Sequence, residues 1–259
     1  DDVELAISPS GTDLEYLGLK LASSFSKSGV HNILMAPDEI GSGSLYAAKG
    51  LYFSNTTPNG DNVEIGQPIK GLYSVNNTIS TIDIRSGCKI IEQEVAYGSS
   101  RKEINIALSR NQVPLLHIVH GTKSGLVSLS MDLLKCLVAE YGSKLKIIID
   151  ACQGRIGTYE IHQYLQLSSL IMITGSKFFS GPPYSAAMII PKKFYTNSLK
   201  QGVDNIGLEG FFSDFDLPEA FINSENYTSV NKINLGTHLR WTAACVEIKS
   251  YLHVPPERA

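Results

Sequence analysis

Short apolar runs alternate with longer segments of helical period along most of this chain, and this alternation limits the possible folds more than any other feature. The strand-like runs cover residues 3–8, 32–36, 78–84, 114–119, 144–150, 170–174 and 186–190. The helical patterns cover residues 12–26, 44–53, 90–109, 131–141 and 158–167. Strands joined by crossover helices form a parallel sheet with helices on both faces. The sequence therefore predicts an α/β fold, a three-layer αβα sandwich with a mostly parallel central sheet.

Two long stretches, residues 55–71 and 201–229, have little period and are rich in turn-forming residues. Loops of this length inside a compact domain are usually either functional or disordered. We find no internal repeat that would suggest a different architecture.

Composition excludes several classes of protein. The net charge is only −3 over 259 residues, so there is no electrostatic footprint for nucleic acid or for an anionic membrane. No apolar run approaches the roughly 20 residues that span a bilayer, and the first four residues lack the basic start of a signal peptide, so we expect a cytoplasmic location. The four cysteines, at 88, 136, 152 and 245, form no C-x-x-C pair, which predicts reduced thiols and no metal site.

A lysine follows the strand at residues 170–174, within the segment Thr-Gly-Ser-Lys-Phe-Phe-Ser-Gly-Pro-Pro. Ligands of open α/β sheets bind at the carboxyl ends of the strands, which is where Lys177 is expected. Apolar neighbours would disfavour the charged amine and make Lys177 a nucleophile toward a carbonyl. Thr174 and Ser176 add hydroxyl groups nearby. The alternative is a surface lysine in a Gly-Pro loop.

A carboxylate and an amide follow the apolar strand at residues 144–150, in the sequence Asp150-Ala-Cys-Gln153. A carboxylate at a buried strand end is costly unless a cation accompanies it, and a protonated pyridine nitrogen is one such cation. One helix and one strand separate Asp150 from Lys177, which returns the chain beside its starting strand. The alternative is an aspartate that caps the next turn.

The turn Ser10-Gly11-Thr12 lies between the first strand and the first helix. Its glycine allows close approach to the backbone, and the amides that open a helix carry partial positive charge, so the turn can bind a phosphate. An N-cap without any ligand is the alternative.

In order and position these elements resemble the pyridoxal phosphate (PLP) site of fold type I enzymes, most closely the class V aminotransferase and cysteine desulfurase branch. The resemblance implies that Lys177 holds PLP as a Schiff base, that Asp150 pairs with the ring nitrogen and that Gln153 lies on the phenolic oxygen side. It also implies that the phosphate is bound by Ser10, Gly11, Thr12, Thr174 and Ser176. Two details depart from the pattern: Ser176 stands where this branch often has histidine, and Gly181-Pro182 follows the lysine one residue later than is commonest.

The turn after the strand at residues 114–119 resembles the H-x-x-T-x-G turn of class V enzymes, in which a polar side chain touches the phenolic oxygen of the cofactor. Either His120 or Thr122 fills that role. His117 lies inside the strand, where a core histidine with a satisfied hydrogen bond is the favoured interpretation.

Gly236-Thr237, at the start of the last helix, resembles a class V segment in which a threonine reaches the cofactor phosphate of the neighbouring subunit. This implies a homodimer with the active site near the interface, and Thr237 as a further phosphate ligand. An ordinary threonine N-cap is the alternative.

Three charged residues are candidates for contact with substrate. Arg155 and Arg240 can form bidentate pairs with a carboxylate. Glu39 is either a substrate contact or a carboxylate at a helix start. No aromatic residue that could stack on the cofactor ring follows the second strand until Tyr46.

The resemblance covers residues 5–245, and it implies that residues 1–259 are the large PLP-binding domain of a longer protein with an N-terminal segment and a small C-terminal domain. The expected activity is that of a PLP-dependent transferase acting on an amino acid or related amine, with aminotransfer favoured. Two alternatives stay open: a PLP-dependent lyase that cleaves a C–S or similar bond or decarboxylates, and a non-catalytic binding or dimerisation module. The expected ligands are small molecules, with no nucleic acid and no membrane.

Overall fold

A computed structural model of the chain describes residues 2–230 and 232–255. The strands are β1 (Val3–Ser8), β2 (Val30–Met35), β3 (Thr78–Ile82), β4 (Arg85–Ser86), β5 (Lys89–Ile90), β6 (Val113–Val119), β7 (Lys146–Ala151), β8 (Leu170–Thr174) and β9 (Ala186–Pro191). The helices are α1 (Gly11–Ser23), α2 (Ser44–Ala47), α3 (Gln93–Ser109), α4 (Met131–Tyr141), α5 (Thr158–Gln166), α6 (Lys192–Lys200), α7 (Glu219–Ile222) and α8 (Leu235–Leu252).

Seven of these strands form one sheet in the order β1-β9-β8-β7-β6-β2-β3, while β4 and β5 form a small hairpin. The pairs from β3 through β8 are parallel, and β9 runs antiparallel to both of its neighbours. The predicted three-layer sandwich with a mostly parallel sheet is confirmed. Because β2, β6, β7 and β8 point the same way, the residues that follow them gather at one edge of the sheet.

The central strand β7 shows how the sequence fills both layers. Its side chains alternate between the two faces, so Ile148 packs in the cluster that contains α1, whereas Ile147 and Ile149 pack in the cluster that contains α4 and α5. All three are nearly inaccessible to solvent, and burying each stabilises the fold by roughly 1.5–3 kcal/mol. A strand buried on both faces explains the continuous apolar run seen in the sequence.

The helix expected over residues 44–53 is wrong. Helix α2 is a single turn that ends at Ala47, and Gly50 adopts a left-handed conformation with φ of 72°. A Cβ at Gly50 would lie 2.6 Å from the carbonyl carbon of Leu72, so chain contact and turn geometry together end the helix. Leu51 then forms an antiparallel bridge with Pro68.

Three further findings concern the cysteines, membrane-spanning helices and metal-binding groups. All four cysteines are free, as expected. Within the described ranges, no helix combines the length and apolar character needed to cross a membrane. In the same part of the chain, no group of three or more histidine, cysteine, aspartate or glutamate side chains is arranged to hold a metal ion.

Candidate active site

A cavity of about 370 Å³ opens at the carboxyl ends of the parallel strands, beside the start of α1. Nine residues that the sequence singled out line it: Ser10, Gly11, Thr12, Glu39, Asp150, Gln153, Thr174, Ser176 and Lys177. They come from the turn that opens α1, from the loop after β2, and from the ends of β7 and β8 with the loops that follow those two strands. Residues far apart in the chain therefore meet in one place, as the strand-end argument predicts.

The N-terminus of α1 forms one wall of the cavity. Ser10 caps the helix, since its hydroxyl oxygen accepts a hydrogen bond from the Asp13 amide at 3.1 Å and the hydroxyl donates to the Asp13 carboxylate at 2.6 Å. A Cβ at position 11 would lie 2.5 Å from Sγ of Cys152, so only glycine lets the helix approach the Asp150 turn this closely. The backbone amides of this turn are thereby held next to the cavity.

Asp150 lies in the floor of the cavity at the end of β7. Its Oδ1 accepts a hydrogen bond from the Cys152 amide at 3.0 Å. Burial raises the pKa of Asp150, while the Cys152 hydrogen bonds and the positive charges of Lys177 and Lys123 oppose the rise. The Thr174 hydroxyl donates to the Cys152 carbonyl at 2.6 Å, which ties the end of β8 to this turn.

Lys177 lines the cavity from its rim. The sequence predicted that apolar neighbours would cover it, but Lys177 is exposed in the structure. The reason is that Phe178 and Phe179 pack on Tyr251 of α8 instead, with ring centroids 5.1 and 5.5 Å from the Tyr251 ring. The Phe178 amide donates to the Gln153 carbonyl at 3.2 Å, so the lysine loop and the Asp150 turn are joined directly.

His120 and Thr122 do not line the cavity. The Nδ1 atom of His120 lies 2.9 Å from the Tyr164 hydroxyl, and burial lowers the pKa of His120. The Thr122 hydroxyl lies 3.0 Å from that of Ser124 and accepts a hydrogen bond from the Leu126 amide, which stabilises the turn. Both side chains are therefore engaged in holding the loop after β6.

The three substrate candidates are in different surroundings. Glu39 lines the cavity, but Arg85 and Ser124 hold it through hydrogen bonds of 3.0 and 2.8 Å. Partial burial would raise the pKa of Glu39, yet hydrogen bonds from Thr122, Arg85 and Ser124 outweigh this and lower it to about 2. Arg155 is exposed outside the cavity, and its guanidinium donates to the Thr122 carbonyl at 3.2 Å.

Thr237 and Arg240 lie in a neighbouring groove of about 460 Å³, which Ser10 and Tyr184 also line. Asn234 caps α8 by accepting a hydrogen bond from the Thr237 amide at 3.2 Å, and Thr237 is buried. The Arg240 guanidinium stands over the Tyr184 ring at 5.6 Å. These two candidates are therefore next to the predicted phosphate turn without facing Asp150.

Sequence reasoning missed several residues of the cavity. Ile40 and Val119 supply apolar lining, and Lys123 donates to the Ile40 carbonyl at 3.1 Å. Tyr46, the nearest aromatic residue after β2, is not part of the lining. Glu15 also lines the cavity, and helix periodicity offered a signal for it, because it follows Gly11 by four residues and so shares its face of α1.

Outside the active site, the expected core histidine is confirmed. His117 is buried in β6, and its Nε2 lies 3.0 Å from Oδ1 of Asn32 on β2. Burial lowers the pKa of His117 to about 4, so the ring is neutral at physiological pH.

Comparison with solved structures identifies the architecture. A chain of the SepCysS–SepCysE N-terminal domain complex superimposes with a TM-score of 0.57 at 10% identity, covering 95% of this chain and 53% of that one. The fold is that of the PLP-dependent transferase large domain. Mouse CSAD gives a TM-score of 0.52 at 12% identity, covering 96% of this chain and 49% of that one.

The glutamate decarboxylase domain of a diaminobutyrate-pyruvate transaminase and L-2,4-diaminobutyrate decarboxylase from Vibrio parahaemolyticus gives a TM-score of 0.50 at 13% identity, covering 78% of this chain and 42% of that one. This chain thus spans about half the length of the solved structures it matches. No family model matches the sequence, and no curated protein matches it.

Proposed function

We propose that this chain binds PLP and acts on an amino acid or a related amine, with Lys177 as the residue that bonds to the cofactor aldehyde. The observation that carries the proposal is that Lys177 and Asp150 line the same cavity beside the N-terminus of α1. A lysine, a buried carboxylate and a helix N-terminus match the three polar ends of PLP, which are its aldehyde, its ring nitrogen and its phosphate.

The dimensions and charges of the cavity support this fit. Its volume of about 370 Å³ lies within the range of about 300–1,000 Å³ that small-molecule sites usually have. The raised pKa of Asp150 reflects a carboxyl group whose burial is only partly compensated, and a ring cation would compensate it. The Ser10, Gly11 and Thr12 backbone and the Ser176 hydroxyl lie beside the cavity and are the proposed phosphate ligands, whereas the Thr174 hydroxyl is already used by its hydrogen bond to the Cys152 carbonyl.

Each residue then has a defined task. When bound, PLP supplies an electron sink for charge that develops on the substrate. Lys177 would hold the cofactor through its aldehyde, and the Nζ of Lys177, when free of that bond, would move a proton at the substrate α-carbon. Asp150 would keep the ring nitrogen protonated, and Gln153 would lie on the phenolic oxygen side. His120 and Thr122 act on that side by holding the loop after β6.

Among the possible reactions we favour aminotransfer over cysteine desulfuration. A desulfurase needs an additional acid or a mobile cysteine nucleophile. Cys152 is packed beneath the α1 N-terminus, and burial raises the pKa of its thiol well above the usual range, with Asp150 adding to the rise. Membership of the class V branch is part of the same proposal. A half-reaction screen with single amino acids distinguishes decarboxylation from aminotransfer.

We also propose that the active protein is a homodimer, in which Thr237 and Arg240 lie close to the site of the partner subunit. The placement at the partner's site rests on the resemblance of Gly236-Thr237 to the class V segment, while in its own chain Thr237 lines a groove next to Ser10 and does not line the cavity that contains Asp150. Sedimentation velocity of the purified chain, with and without PLP, checks this. A monomer at all concentrations under both conditions would contradict it.

Covalent labelling tests the central claim. Wild-type protein incubated with PLP is expected to absorb visible light and, after borohydride reduction, to carry the cofactor on the peptide that contains Lys177. Lys177→Ala is expected to lose the label. Lys123→Ala is the matched control, since Lys123 also lines the cavity but is not assigned the covalent bond. Absence of PLP uptake, or a label on Lys123, would refute the proposal.

A half-reaction screen with single amino acids then identifies the chemistry. Aminotransfer converts bound PLP to its amine form, whereas a lyase or a decarboxylase regenerates the aldehyde. Conversion to the amine form without release of sulfide or carbon dioxide is the expected result.

A further inference from the structure

A second carboxyl group, Glu15, lies in the cavity with Asp150 and has no task in the mechanism above. It is 4% exposed and lines the cavity together with Asp150, Ser44 and Cys152. Glu15 is four residues after Gly11 and therefore on the face of α1 that packs against Cys152. The first turns of α1 thus place Glu15 at the floor of the cavity and the proposed phosphate turn at its wall.

Glu15 has fewer partners than a buried carboxylate requires, since the Ser44 side chain is the one hydrogen-bonding group that acts on it among the described residues. Its Oε2 makes no hydrogen bond with any residue that the structure describes, and none of the ion pairs among residues 2–230 and 232–255 includes it. An ionised carboxyl group in such a place costs several kcal/mol, so the group takes up a proton instead. A carboxyl group that is buried in a ligand cavity with one oxygen free of hydrogen bonds is a candidate for a functional role.

The titratable groups that interact with Glu15 are acidic. They are Asp150 at the end of β7 and the neutral thiol of Cys152 in the turn that follows, whereas Asp13, two residues away on α1, points to a different side of the helix. Burial raises the pKa of Glu15 to about 8, the Ser44 side chain opposes the rise and the charge of Asp150 adds to it. The nearby lysines, Lys177 and Lys123, act on Asp150.

On the basis of the proposed function, we propose that Glu15 is a positioning residue for the cofactor ring: it holds a proton at the cavity floor, so that Asp150 alone carries the negative charge that faces the ring nitrogen. One carboxylate then balances one ring cation. If Glu15 lost its proton, the floor would carry two negative charges, which would change the electronic state of a bound ring.

The first test uses the protein without cofactor. The carboxyl of Glu15 has a higher pKa in the folded chain than its ordinary value of 4.5, so its contribution to stability is complete below about pH 4.5 and is lost as the pH rises to about 8. Urea unfolding at each pH from 5 to 9 gives the unfolding free energy of wild type and of Glu15→Gln. Plotted against pH, the two free energies should converge or cross, because the variant gains stability relative to wild type at high pH. Glu94→Gln, an exposed change on α3, should run parallel to wild type. Parallel curves for Glu15→Gln would overturn the proposal.

The second test uses the absorbance spectrum of bound PLP between pH 6 and 9.5. Wild type should show a spectral transition within this pH range that Glu15→Gln lacks and Glu94→Gln keeps. A purely structural Glu15 would leave this spectrum unchanged, so a transition in both proteins, or in neither, would overturn the proposal. A wild-type protein that takes up no PLP would instead contradict the proposed function, which the cofactor-free unfolding curves do not depend on.

Discussion

Gly11 shows how a single residue sets the geometry of the site. The N-terminus of α1 lies against the Asp150 turn because position 11 has no side chain, and a Cβ there would lie 2.5 Å from Sγ of Cys152. The helix N-terminus and the carboxylate of Asp150 are therefore held a fixed distance apart, which suits a rigid ligand that contacts both.

Gly11→Ala should cost about 1–3 kcal/mol of unfolding free energy through overpacking, and should weaken PLP binding because the helix must shift. Urea unfolding and PLP titration measure the two effects. Adding Cys152→Ala should recover most of both losses, since the clash is with the sulfur. Gly98→Ala, where a Cβ meets no atom within 4 Å in the middle of α3, should instead stabilise by about 0.5–1 kcal/mol. Equal effects at positions 11 and 98 would contradict this account.

His117 is a second single residue with a measurable consequence. Its pKa falls from the usual 6.5 to about 4 because it is buried, so below pH 6.5 the unfolded chain binds a proton that the folded chain does not. Stability should therefore rise with pH between about 4 and 6.5, by up to about 3 kcal/mol from this group. The slope of unfolding free energy against pH should be smaller in His117→Gln than in wild type, and an unchanged slope would show that the ring is not held neutral.

At the scale of secondary-structure elements, α8 supports the lysine loop. Tyr251 packs on Phe178 and Phe179, and a Cβ at Gly175 would lie 2.5 Å from the Cβ of Ala244. Two hydrogen bonds of 2.9 Å also stabilise the loop: the Gly175 amide donates to the Ser185 carbonyl, and the Gly181 amide donates to the Gly175 carbonyl. The position of Lys177 thus depends on a helix about 60–75 residues further along the chain.

Tyr251→Ala should loosen this loop, because each aromatic pair contributes about 0.5–1.5 kcal/mol beyond its buried area. Amide hydrogen exchange in a peptide covering residues 175–185 should become faster, and reductive labelling of Lys177 should slow. Val246→Ala, on an exposed position of the same helix, is the control and should change neither. Unchanged exchange in Tyr251→Ala would mean that α8 does not stabilise the loop.

Across the whole molecule, one buried lysine connects the two long irregular stretches. Lys20 on α1 is 6% exposed, and its ammonium group lies 2.5 Å from the Asp204 carboxylate. It also donates to the carbonyls of Gly71 and Ile206 at 3.1 and 3.0 Å. Both stretches are thereby anchored to the helix that begins at the proposed phosphate turn.

Lys20→Met should lower the unfolding free energy by about 2–3 kcal/mol. Breaking a fully buried pair costs about 3–5 kcal/mol, but Asp204 is partly exposed, so water compensates part of the loss. Lys27→Met, an exposed change just after α1, should stay within about 0.5 kcal/mol of wild type. Urea unfolding followed by the fluorescence of the single tryptophan, Trp241, measures both, and similar values for the two variants would contradict the anchoring role.

The sequence by itself determined the layered α/β architecture with its mostly parallel sheet, and the strand-end residues that meet in the cavity. Periodicity is a local property, so the predicted bounds of β8 and α4 agree with the structure at both ends. Asp150 and Lys177 lie at the same edge of the sheet because each is near the carboxyl end of a parallel strand. The helix expected up to Phe53 was lost because Gly50 makes a turn against Leu72, a contact that no local pattern contains.

Only the tertiary structure decided how each side chain is surrounded. Lys177 is exposed because Phe178 and Phe179 pack on a distant helix, and His120 is turned to Tyr164 instead of the cavity. Glu15 gains its unusual environment because α1 lies against the turn after β7. Burial and electrostatics arise from groups that are far apart in the chain, so residue type and spacing identify the participants, whereas packing between elements sets their protonation and access.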